Sequence, residues 1–141
     1  MSATGLEVFD KTVQTTNGWL KEIMEVMGPD RHRAYRILAA VLHALRDRLT
    51  VDEAAQLGAQ VPNLVRGMYY DQWHHPAGKP EGLRRKEEFL SAVAEELDDI
   101  GSINPEQATR AVFAVLEHHI ARGEIEDVKA TMPTHLRDLW P

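Results

Sequence analysis

The chain has 141 residues, enough for one compact domain with a real core. It is 43% hydrophobic and 27% charged, ordinary for a globular protein, and the lack of cysteine excludes a disulfide framework, a thiol nucleophile and a thiolate metal site. The formal charge is −6, of which −5 falls on residues 74–141. Such an acidic half repels phosphate backbones, so nucleic acid is not an expected partner.

The chain reads as helical almost throughout. Phe9, Val13, Leu20, Ile23, Met24 and Met27 form one apolar stripe at helical spacing, closed by Gly28-Pro29. Asp30 is placed to cap a second helix reaching about Arg48. Ile37, Leu38, Val41, Leu42 and Leu45, with Ala39, Ala40 and Ala44 among them, leave that helix little polar surface, which predicts burial. Thr50-Val-Asp-Glu53 has the pattern of a capping box, opening a third helix that should end near Val61 before a proline. Pro62 suits the first position of a fourth helix running to about Trp73. Residues 74–83, rich in proline and glycine, read as a loop. Beyond them Phe89, Leu90, Val93 and Leu97 continue the pattern. Asn104-Pro-Glu-Gln107 then opens a long apolar helix containing Ala111, Val112, Phe113, Val115 and Leu116.

The second half repeats the first. The run Leu49–Tyr69 lies over Ile120–Trp140 without a gap, with Glu53/Glu124, Ala59/Ala130, Pro62/Pro133 and Arg66/Arg137 identical. Apolar character persists at Leu57/Val128, Val61/Met132, Val65/Leu136 and Tyr69/Trp140. Self-similarity of this kind means one helical unit used twice. The expected fold is all-α: a helical bundle of two tandem repeats of about four helices each, related by a pseudo-twofold axis around a single joint core. One domain spans 1–141, with unit one at about 5–73, a loop at 74–83 and unit two at 84–141. An offset of 71 or 74 fits the two long helices about equally well.

The run from Leu45 through Leu49-Thr-Val-Asp-Glu-Ala-Ala-Gln-Leu57 and Val61-Pro-Asn-Leu-Val-Arg-Gly-Met-Tyr-Tyr-Asp-Gln-Trp73 resembles domain-of-unknown-function family 2267. So do Phe9–Leu20, Arg85–Leu90 and the ending Met132–Trp140. His74-His75 departs from the pattern, which has an acidic residue and proline after the tryptophan. The resemblance implies a small helical bacterial protein and carries no catalytic residues over.

Motifs for chemistry are sparse. No Gly-x-Ser-x-Gly elbow and no phosphate-binding glycine loop occurs, and no histidine follows a glutamate at the spacing of a helical di-metal site. His43 and Asp47 stand one turn apart, which suits a core histidine bonded to a carboxylate. His118-His119 point about 100° apart, too divergent to share an ion from one helix alone. His74 and His75, with Asp71 one turn back, are the metal candidates by residue type. Arg66 and Arg137, with Glu53 and Glu124, are either ion pairs and caps between short helices or an anion site across the repeat axis. Tyr70 and Trp73 are the candidate partner surface. The arginine-lysine cluster at 84–86 reads as a solvated helix start.

No apolar stretch approaches a membrane span and no secretory leader is expected, so the cytoplasm is the predicted location and no membrane partner is anticipated. The sequence thus predicts a non-enzymatic protein-interaction or assembly module, with no cofactor and a protein partner or self-association. The alternative is a small-ligand or metal-binding helical protein using the groove between repeats.

Overall fold

The computed structural model describes residues 3–74 and 85–141. All regular structure there is helical. The elements are α1 (Glu7–Met27), α2 (Arg31–Arg48), α3 (Val51–Gly58), α4 (Asn63–Tyr70), α5 (Lys86–Glu96), α6 (Pro105–His119), α7 (Arg122–Ala130) and α8 (Thr134–Arg137), with a 3₁₀ turn at Asp98–Ile100. No helix among the described residues is long and apolar enough to cross a membrane.

The helix starts follow the capping chemistry that the sequence announces. Asp30 accepts from the Arg33 amide, Asn104 accepts from the Gln107 amide, and Thr50 and Glu53 form the reciprocal capping box. Two helix ends differ from expectation. α3 stops at Gly58 rather than Val61, because Ala59 and Gln60 already turn through bonds to Ala55 and Leu57 carbonyls. α4 stops at Tyr70 rather than Trp73, because Gln72 takes a left-handed conformation (φ 56°) and turns Trp73 back to donate to the Tyr70 carbonyl.

One cluster of buried side chains contains Trp19, Leu20 and Ile23 from α1, Ile37, Leu38, Val41, Leu42 and Leu45 from α2, and Phe89, Val93, Val112, Phe113, Leu116, Leu136 and Trp140 from the second half. The Phe113 and Trp140 rings stack at 4.0 Å, and the Trp140 indole donates to the Met132 sulfur. α2 runs through the middle, packing against α1, α4, α5 and α6. α1 departs from its simple stripe: Leu20 and Ile23 are buried, whereas Phe9 is 53% exposed and Val13 lies at the surface.

α2 also carries two buried arginines. Arg46 donates to the Tyr69 and Asp71 carbonyls just after α4 and to the Asp47 carboxylate. Arg48 donates to the Thr131 carbonyl and hydroxyl at the end of α7. Helix carboxyl ends present unpaired carbonyls and partial negative charge, so a guanidinium there answers both. Arg46→Ala is expected to destabilise the fold by about 3 kcal/mol, the worth of two charge-assisted bonds, read as a lower urea midpoint at unchanged m-value.

Candidate functional site

An open, mainly apolar groove of about 570 Å³ lies between α1, α2 and α4, lined by Val13, Leu20, Tyr35, Leu64 and Met68, with Arg31 and Asp71 supplying charge. Its walls follow from helix geometry. Val13, Thr16, Asn17 and Leu20 recur at three- and four-residue spacing along one face of α1. The α4 amino end is held beside them by the Leu64 amide, which donates to the Thr12 hydroxyl at 3.0 Å. Arg31 donates to Asn17 and links α2 to α1. Thr16, buried beneath the groove, has a hydroxyl with no hydrogen-bond partner among the described residues. Leu6, which precedes α1, and Phe9, one turn before Val13, stand out into solvent.

Asp71 sits at a junction, lining this groove and a neighbouring cleft with His43, Arg46 and Glu96. The expected carboxylate partner of His43 is its neighbour Asp47. The structure places Asp47 against Arg46 and gives His43 to Glu96 of α5, with Nδ1 2.9 Å from the carboxylate and Nε2 2.7 Å from the Met68 carbonyl. A carboxylate and a carbonyl both demand donors, so the ring is held as the imidazolium. Burial alone would lower the His43 pKa, but the Glu96 bond and the Met68 carbonyl outweigh it and raise it.

Tyr70 and Trp73 are half-buried. Their rings meet at 5.5 Å, and Tyr70 meets Tyr69 edge-on at 4.9 Å. Tyr69 is fully buried and donates to the Ala54 carbonyl at 2.8 Å. The Tyr70 hydroxyl presses on Gly58, leaving no room for a side chain there. His74 is exposed, and His75 lies outside the described residues.

Arg66 donates to the carbonyls of Gly58, Ala59 and Val61 after α3, and Arg137 donates to the Met132 carbonyl after α7. The bond to the residue five positions earlier therefore occurs in both places. Glu53 closes its own capping box. Glu124, on α7, has a pKa raised by burial and then by Asp127 and Glu53, so the two glutamates approach each other as like charges where α3 meets α7.

A further cluster joins residues that the sequence leaves apart. Glu22 of α1 faces both imidazoles at the end of α6, with His118 Nδ1 2.9 Å from Oε1 and His119 Nε2 2.6 Å from Oε2. The pair that cannot converge from its own helix converges on a carboxylate from another. Burial raises the Glu22 pKa, and the two histidine bonds outweigh that and lower it. The sequence offers no signal for this contact beyond Glu22 lying one turn from buried Trp19.

A family described as "Uncharacterized conserved protein (DUF2267)" matches residues 16–139. The chain belongs to this family. No curated protein matches the chain. The match covers every helix except the amino half of α1, which includes the exposed Leu6–Phe9 end.

Two outcomes follow. Gly58→Ala should destabilise by about 1–3 kcal/mol despite alanine's better helix propensity, and truncating Tyr70 to alanine in the same background should remove most of that penalty in a double-mutant cycle. For pH, the His43 contribution is complete below its ordinary pKa of 6.5 and is lost as pH rises through the higher folded value. Denaturation midpoints should therefore fall above pH 6.5, and His43→Gln should flatten that slope. Glu22 acts oppositely at the acid end, with stability lost as pH falls below its ordinary 4.5 through its lowered folded value.

Proposed function

We propose that this protein is a non-enzymatic assembly module that associates with a second copy of itself through the α1–α2–α4 groove. The observation that carries the reading is the presence on one face of both a ridge and a hole. Leu6 and Phe9 project from the amino end of α1 and the residue before it, while Val13, Leu20, Tyr35 and Leu64 line the neighbouring groove. A patch with both shapes is self-complementary and can meet its own copy across a two-fold axis. The groove also carries both signs of charge, Arg31 and Asp71, which lets two copies balance each other. The unpartnered Thr16 hydroxyl beneath it favours an occupied groove over a bare one. Tyr70 and Trp73 pack on each other and on the core, with Tyr70 against Gly58, and do not line this groove.

The same reading takes the chain as one domain built from two units. Three observations support it. Asp30 and Asn104 cap equivalent helices with the same bond. The Arg66–Val61 contact recurs as Arg137–Met132. α6 begins 74 positions after α2 and ends 71 after it, so each offset suits one end of a helix pair of unequal length. In this reading Arg66, Arg137 and Glu53 cap and orient short helices, and neither they nor Glu124 bind an anion. The alternative of small-ligand or metal binding draws its support from the Glu22 cluster.

Sedimentation equilibrium tests the assembly reading. The expected result is a dimer whose affinity rises with salt, because apolar contact is retained while repulsion between two copies of charge −6 is screened. Phe9→Glu and Leu64→Glu, both at exposed positions, should each weaken dimerisation at least tenfold without lowering the melting temperature. A wild-type chain that stays monomeric to millimolar concentration at every salt defeats the reading, as does a dimer indifferent to both substitutions.

A further inference from the structure

We propose that Glu22, His118 and His119 form a binding site for one divalent transition-metal ion of the zinc class. The three donor atoms lie within 4.8 Å of one another, contributed by two helices whose packing fixes their approach. The proposal stands on this cluster and is independent of self-association through the groove.

Two imidazoles and a carboxylate are a donor set suited to zinc, which takes three protein ligands and water in open sites. Adjacent helical residues diverge, which ordinarily prevents them from sharing an ion. Here the ring atoms compensate: His118 offers the near nitrogen, Nδ1, and His119 the far one, Nε2. The two rings come within 4.3 Å of each other. Trp19, fully buried one turn before Glu22, stacks on the His119 ring at 5.3 Å and 20° and so fixes its plane. A rigid aromatic support of this kind reduces the ordering needed when an ion arrives.

Hydrogen bonds hold the three side chains together without an ion, and they set the competition. A tetrahedral ion sits about 2.0–2.2 Å from each ligand, with donors about 3.3 Å apart, so the His118–Glu22 and His119–Glu22 separations of 2.9 and 2.6 Å widen by less than 1 Å to admit it. The movement falls on side chains that solvent reaches, since His118 is 66% exposed and Glu22 30%. Zinc would displace the protons shared between imidazole and carboxylate, and it would tie the middle of α1 to the end of α6.

The test is calorimetric titration of the full chain with zinc chloride at neutral pH, beside four variants: Glu22→Gln, His118→Ala, His119→Ala and the double change His74→Ala with His75→Ala. The expected result is one zinc per chain for the wild type and the His74/His75 variant, with binding weakened about 100-fold or more by each change in the triad. Zinc at a hundred times its dissociation constant should raise the wild-type melting temperature by about 5–10 °C, and His118→Ala should abolish that rise. His118→Ala is the safeguard on folding, being a solvent-exposed side chain at a helix end. No saturable binding by the wild type overturns the proposal. So does zinc retained by the triad variants, or zinc lost only with His74 and His75.

Discussion

Cationic side chains on the buried helix α2 terminate its neighbours, and the placement of the other helices depends on this. His43 and Arg46 reach the Met68, Tyr69 and Asp71 carbonyls at the end of α4, Arg48 reaches Thr131 at the end of α7, and Arg36 reaches the Glu96 carbonyl at the end of α5 and the Asp99 carboxylate beyond it. Apolar packing is non-directional, so a core of leucine, valine and alanine permits neighbouring helices to slide by a turn. A buried guanidinium permits far less. Its desolvation is compensated only where several acceptors converge, which makes the correct register much more favourable than its neighbours. One helix thereby decides where three others stop.

The short helices show why such ties are needed. α8 has four residues, and α3 and α4 have eight each. Helices of that length are not stable alone, since nucleation costs more than a few bonds return. Their ends are held from outside, by Arg66 on the carbonyls that follow α3 and by Arg137 on Met132. Their faces are held by Tyr69, Leu136 and Trp140, all buried. The aromatic residues that end each half thus serve packing first, and Tyr69 adds a bond from its hydroxyl to Ala54.

Much of this was legible in the sequence because it is written locally. Asp30, Thr50 and Asn104 announce helix starts through side chains that bond only three residues ahead, and the apolar run of α2 announces burial by composition alone. What was illegible depends on pairing across the chain. His43 is one turn from Asp47 in sequence, yet bonds Glu96, because α5 packs against α2 and brings Glu96 to the ring while Arg46 takes Asp47. Glu22 and the two histidines are almost a hundred positions apart, and no spacing rule connects them. Arg66 and Glu53 look like partners by charge, yet each finds backbone closer to hand.

The exposed ridge has a cause of the same kind, and it lies in helix length rather than in pattern. At 1.5 Å per residue, α1 with 21 residues spans about 32 Å, against about 27 Å for the 18 residues of α2 and about 22 Å for the 15 of α6. A helix that outruns both of its supports must leave part of its apolar stripe uncovered. The carboxyl half, Trp19 to Met27, finds α2 and α6 beneath it and is buried. The amino half continues the same periodicity beyond α2 and α6, with the start of α4 alongside at Thr12, and Leu6, Phe9 and Val13 meet solvent. Periodicity reports which face of a helix is apolar, whereas the length of the helices beside it decides how much of that face is covered. Exposed apolar side chains in a row along one helix are the feature on which the proposed self-association rests, because contiguous apolar surface is costly to leave in water.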